Sequence, residues 1–142
     1  MCQRVSQITE LGAKLLIDAE RRRQVEAEGW TEAHDDTHRS NEMLQAALVY
    51  YDMATGSPMT MRTNGAPFGW PWDAAWWKPK GYERDLVRAG ALCVAERGRL
   101  DRLGLNAAHV DHQLDLIIAA LQLDPPATEA QPAHSDREAV DA

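Results

Sequence analysis

The sequence predicts an all-α fold, a small bundle of about four helices, on three observations. Apolar residues recur at spacings of three and four along separate stretches, the signature of amphipathic helix. Gly29, Gly56 and Gly104 stand just past those stretches, where a left-handed cap closes a helix. A length of 142 residues supports one compact domain with a core and leaves little room for two. The domain is expected over 1–123, with 124–142 as a tail.

The first helix is expected over 6–28, where Ile8, Leu11, Leu15, Ala19 and Val25 fall at near-helical spacing without proline. After Gly29, the stretch from Trp30-Thr31 onward is a polar connection rich in acid and histidine. Ser40 can cap a second helix running through Met43, Leu44, Ala47, Leu48 and Tyr51 to Ala54. Thr55-Gly56-Ser57-Pro58 ends it.

The next stretch, 59–80, contains Gly65, Pro67, Gly69, Pro71 and Pro79, which argue against regular helix. Four of the five tryptophans lie there. A third helix is expected over 82–103, with Leu86, Ala89, Leu92 or Cys93, Glu96 and Leu100 on successive turns. Its small residues Ala89, Gly90 and Ala91 leave room for a neighbour. Asn106 can cap a fourth helix with Val110, Leu114, Ile117, Ile118 and Leu121 as its apolar stripe. From Asp124 the composition turns to Pro, Ala, Thr, Glu, Gln and Ser, with little to bury, which predicts disorder.

Charge and cysteine usage narrow the function classes. A net charge of −7 and a pI near 5.1 would repel a phosphate backbone, so nucleic acid is not an expected partner. No apolar stretch reaches the length of a membrane span, and polar Gln3, Arg4, Ser6 and Gln7 stand where a signal peptide would be apolar. Cys2 and Cys93 suggest no disulfide framework, and Cys93 reads as a small buried hydrophobe with only Arg97 nearby in sequence to favour a thiolate. These features point to a reducing cytosol, and small helical domains often pair into homo-oligomers.

Three segments could carry chemistry. Trp70-Pro71-Trp72-Asp73-Ala74-Ala75-Trp76-Trp77-Lys78-Pro79 concentrates indoles that must cover the bundle core, wall a pocket or meet a partner. As a pocket it would stack a planar ligand on Trp70, Trp72 and Trp77, with Lys78 near a phosphate. Glu20-Arg21-Arg22-Arg23-Gln24 offers guanidinium forks that suit phosphate or carboxylate, against the plainer reading of a solvated helix face. His34, Asp35, Asp36 and His38 could ligate a divalent metal, or simply supply hydrogen bonds at the start of a helix. His109, Asp111, His112 and Asp115 read as an acid-rich helix start. The charges of the third helix read mostly as a solvated face, with Glu96 drawn inward and the Arg21–Arg23 cluster as a candidate partner.

Taken together, Glu20-Arg21-Arg22-Arg23-Gln24, Gly29-Trp30-Thr31, His34-Asp35-Asp36-Thr37-His38, Trp70-Pro71-Trp72, Trp77-Lys78-Pro79 and Arg84-Asp85-Leu86-Val87-Arg88-Ala89-Gly90-Ala91-Leu92 resemble a family of small proteins of tailed phages and prophages. The resemblance spans roughly 19–101 and implies an accessory role in infection, in the cytoplasm of the bacterial host. A weaker similarity is to the all-helical nucleotide pyrophosphohydrolases, whose activity would imply magnesium held by Glu-x-x-Glu and Glu-x-x-Asp motifs. No Glu-x-x-Glu occurs on the second or third helix here, and Glu42 is followed by Gln45. The leading expectation is therefore a phage accessory protein whose cavity binds a nucleotide-like, phosphate-bearing small molecule, to sequester or hydrolyse it. The rival expectations are an inhibitor that occupies a host defence or regulatory protein, and a metal-dependent hydrolase built on His34, Asp35, Asp36 and His38.

Overall fold

The computed structural model describes residues 7–35 and 41–125. Four long helices pack together: α1 (Glu10–Glu28), α3 (Glu42–Thr55), α4 (Tyr82–Leu103) and α5 (Ala108–Leu121). A single turn, α2 (Glu32–Asp35), lies between the first two. An isolated antiparallel bridge joins Met61 and Pro67. The all-α bundle expected from the sequence is the observed fold. The expected tail lies, from residue 126 on, outside the described residues, as does Ser40.

Local chemistry sets the helix ends. Thr9 caps α1, its Oγ1 accepting the Gly12 N–H at 3.0 Å. Gly29 closes α1 at φ 73° and donates its N–H to Val25, and Gly104 closes α4 at φ 72°. Both lie in the left-handed region that favours glycine. The N-terminus of α4 is held by Asp85, whose buried carboxylate accepts the Lys80 N–H at 2.7 Å and the Gly81 N–H at 3.4 Å. Asn106 Oδ1 accepts the Ala108 N–H at 2.7 Å as α5 begins.

Helix α4 is the centre of the bundle, packing against α1, α3 and α5. Leu86, Ala89, Leu92, Cys93, Glu96 and Leu100 are all buried, as are Val110, Ile117, Ile118 and Leu121 of α5. On α3 the buried set is Met43, Leu44, Ala46, Ala47, Val49 and Tyr50. The sequence placed Leu48 and Tyr51 inward, whereas Leu48 is exposed and Tyr51 half-buried.

Helix α1 departs most from its expected register. It buries Ala13, Ile17, Glu20 and Gln24, and leaves Leu11 66% and Leu15 58% exposed, with Ala19 also outward. Two relationships with α4 set that rotation. Ile17 packs on Gly90, where a Cβ would stand only 2.6 Å from its Cδ1. Glu20 pairs with Arg84. The small-residue run of α4 thus receives a neighbour as expected, and that neighbour is Ile17.

The charges of α4 are correspondingly less solvated than its alternating pattern predicts. Glu96 is fully buried, and its partner is Arg99 of its own helix, not the Arg21–Arg23 cluster. Arg99 Nε meets Glu96 Oε1 and Nη2 meets Oε2, each at 2.8 Å. The two form a forked pair inside the bundle. Arg97 reaches across to Asp111 of α5 at 2.7 Å instead of facing Cys93. Burial, reinforced by the Glu96 charge, pushes the Cys93 thiol up to about 12. Tyr82 ties the start of α4 to the end of α5, its hydroxyl donating to the Ala120 carbonyl at 2.8 Å.

Candidate functional site

The segment between α3 and α4 first folds back on itself. Arg62 N–H donates to the Ala66 carbonyl and Phe68 N–H to the Thr60 carbonyl, closing a small loop through Gly65, whose φ is 94°. Gly69 then lies against Val49, whose Cγ2 would stand 3.2 Å from an added Cβ. This delivers Trp70 into the core beside Tyr50, with ring centroids 5.4 Å apart and nearly perpendicular. The Trp70 indole N–H donates to the Asp73 carbonyl, and the Asp73 carboxylate accepts the Ala75 N–H. A single 3₁₀ turn, Ala74–Trp76, starts at that cap in an otherwise irregular stretch, closed by the Trp76 N–H donating to the Asp73 carbonyl and the Trp77 N–H to the Ala74 carbonyl.

The rings continue outward in series. Trp72 meets Trp70 edge-on at 5.4 Å and Trp30 at 6.2 Å. Trp30 is set by the cap of α1, since its N–H donates to the Gln24 carbonyl. The His34 ring of α2 stacks parallel to it at 6.1 Å. On the other side Trp77 stacks on Tyr50 at 4.9 Å. The segment therefore both covers the core, through Trp70, and walls a space outside it.

That space is a cavity of about 630 Å³, within the size range of small-molecule sites. Trp30, Trp70, Trp72 and Trp76 line it, with Tyr50 and His34. Its charged lining comes from α1 (Glu20, Arg23, Glu28), from the loop (Asp73, Lys78, Lys80) and from α4 (Arg88). The acids of α1 are neutralised in place. Arg23 grips both oxygens of Glu20 at 2.9 Å and reaches Glu28 at 2.7 Å, while Arg84 pairs with Glu20 from α4. Burial alone would push the Glu20 carboxyl up, but the two arginines outweigh it and hold the group below its ordinary value. Gln24 completes the arrangement by donating its amide to Glu20 at 3.3 Å.

The cations of the loop and of α4 are placed differently. Arg88 donates to the Lys78 carbonyl at 2.7 Å and lies 5.9 Å from the centre of the Tyr50 ring. Lys78 Nζ lies 6.0 Å from the Trp76 ring. Among the described residues neither these two nor Lys80 is ion-paired with a carboxylate. Burial pushes the Tyr50 hydroxyl up, with Arg88 opposing the shift, so the phenol stays protonated beside them.

Of the residues singled out in the sequence, Arg23, Trp70, Trp72 and Lys78 line the cavity together. Trp77 supports it from behind through Tyr50, and Arg21 and Arg22 of α1 lie outside the lining. His34 lines the cavity as a stacked ring; Asp35 ends α2, and Asp36 and His38 lie outside the described residues. Among the described residues no group of three or more His, Cys, Asp or Glu side chains converges as metal ligands. Tyr50, Lys80 and Arg88 carried no site signal in the sequence, although Lys80 is two positions from Lys78 across Pro79. No helix of the described residues is long and apolar enough to cross a membrane. Neither a known protein family, nor a curated protein, nor a solved structure matches this chain.

Proposed function

We propose that this protein is a phage or prophage accessory protein that binds a nucleotide-like, phosphate-bearing small molecule in the tryptophan-walled cavity. The observation that carries the reading is the combination of indole faces with Lys78, Lys80 and Arg88, cations with no carboxylate partner among the described residues. Indole faces accept a planar base of any sequence identity, and unpaired cations accept phosphate. Glu20 and Glu28 are held by arginine, so two of the three acids of the lining are neutralised in place, and the third, Asp73, accepts the Ala75 N–H. Holding the ligand intact, and so sequestering it, accords with carboxylates committed to arginine in this way.

Equilibrium dialysis against AMP, GMP, CMP and UMP tests the proposal. Binding by the unaltered chain is expected, with loss of at least tenfold in Trp72→Ala and in Arg88→Ala while helical circular dichroism is kept. Recovery of unchanged nucleotide after incubation distinguishes sequestration from hydrolysis. Failure of all four to bind would remove the reading.

A second reading has its own observation. Trp76 is 59% exposed at the cavity rim, and Phe68 is equally exposed, with the Arg62 guanidinium 5.4 Å from its ring centre. Aromatic and arginine side chains of this kind anchor protein partners, which favours an inhibitor of a host protein as the alternative. Stoichiometric capture of one host protein, abolished by Trp76→Ala and Phe68→Ala, would support it.

A further inference from the structure

Helix α1 carries a second seam on the face turned away from the bundle. Ala13, Ile17, Glu20 and Gln24 point inward. Roughly opposite them on the helical wheel, at steps of four, three, four and three, stand Leu11, Leu15, Asp18, Arg22 and Val25. The first four are exposed and Val25 is half-buried. That alternation of steps is the one by which helices pair in a coiled coil. Among the described residues neither Asp18 nor Arg22 is ion-paired. On one flank of the seam Lys14 meets Glu10 at 3.1 Å, and Arg21 is half-buried with its Nη1 enclosed, so both are engaged by their own chain. On the other flank Ala19 is outward and small, which lets a second helix approach.

We infer that α1 pairs antiparallel with α1 of a second copy of this chain, in the register that sets Asp18 of each copy opposite Arg22 of the other and Leu15 opposite Val25. The charges of the seam choose the direction. Parallel pairing would stack Asp18 on Asp18 and Arg22 on Arg22, like on like. They also choose the register, because 18 and 22 lie symmetrically about residue 20, close to the middle of α1, so the antiparallel helices overlap along nearly their whole length when the opposite charges meet. Leu15 and Val25 share that centre, and the two-fold repeats every contact, as an isologous interface requires. Sliding the helices to pair Leu11 with Leu15 instead would leave more than half of each helix uncovered and both charges alone. A single helix pair is a small interface, so the dimer dissociates on dilution, and in the dilute chain Leu11 and Leu15 face water.

Sedimentation equilibrium of the whole chain across a concentration series tests the inference. A reversible monomer–dimer equilibrium is expected. Asp18→Arg and Arg22→Asp each put like charges face to face twice, and each should weaken association at least tenfold. Both residues are exposed, so helical circular dichroism should be unchanged. Exchanging the two charges within one chain, Asp18→Arg with Arg22→Asp, should restore association. Mixing the two single variants should do the same, since opposite charges then meet only between unlike chains. A monomer at every concentration up to about 1 mM, a dimer indifferent to the single substitutions, or a charge exchange that restores nothing overturns the inference.

Discussion

The Ile17 side chain fills the place on α4 where any residue larger than glycine at position 90 would put its Cβ. The distances to Ile17 Cδ1 and Cγ1 would be 2.6 and 2.7 Å, and Ile17 is itself buried, so an added methyl must displace core atoms. Gly90→Ala is therefore expected to destabilise the fold by about 1–3 kcal/mol, although alanine is the better helix former. Shortening the neighbour, in Gly90→Ala with Ile17→Val, should recover part of the loss. Urea denaturation of the two singles and the double measures this coupling.

The rotation of α1 makes a prediction about its leucines. Leu11→Gln and Leu15→Gln should each change stability by no more than about 0.5 kcal/mol, because both side chains already face water. Ile17→Ala should cost about 2–5 kcal/mol. The opposite order in denaturant midpoints would place the leucines in the core.

Glu96 and Arg99 form a charge pair inside the bundle, and the two ways of removing it differ in sign. Arg99→Met leaves a fully buried carboxylate without its fork and is expected to cost about 3–5 kcal/mol. Glu96→Leu together with Arg99→Met removes both charges and should regain most of that loss. Thermal unfolding of the single and double variants checks it.

Glu20 gives the fold an acid sensitivity. Its carboxyl titrates below the ordinary value of 4.5 in the folded protein, so the unfolded chain takes up the proton first as pH falls. The stabilisation is present above about pH 4.5 and is lost as pH drops through the lower folded value. Glu20→Gln should lower stability at pH 7 by about 1–3 kcal/mol and flatten its decline toward pH 3. Urea midpoints across pH 3–7 for both proteins provide the measurement.

Cys93 should be chemically silent while the bundle is intact. In a Cys2→Ser background, a thiol reagent at pH 8 is expected to leave the native protein unmodified and to modify one equivalent in denaturant, since burial raises the thiol far above that pH. Fast native labelling would mean that α4 opens readily.

How much of this was legible in the sequence depends on what kind of residue carries each element. Helices α4 and α5 were readable because Leu86, Leu92, Leu100, Val110, Ile117 and Leu121 are apolar, periodic and buried. Helix α1 misled because Leu11 and Leu15 imitate a core stripe, whereas much of its inner face is polar. Glu20 is held in its buried place by Arg23 of its own helix together with Arg84, which arrives from 64 positions away. In the site, the tryptophans announced themselves by number and by the prolines among them. Arg88 and Tyr50 did not, since each looks like an ordinary helix residue until the chain brings them together behind Lys78.

The clustering of rings also determines what light can report about this molecule. Four of the five indoles line one cavity, and the fifth, Trp77, stacks on the tyrosine behind it. Nearly all near-ultraviolet emission therefore originates from one side of the bundle, and α5 contains no chromophore of that kind. A bound base would quench or shift the spectrum of the whole protein, while fraying of α5 would leave it dark to the same measurement. Occupancy and unfolding are thus separable by pairing emission with far-ultraviolet dichroism.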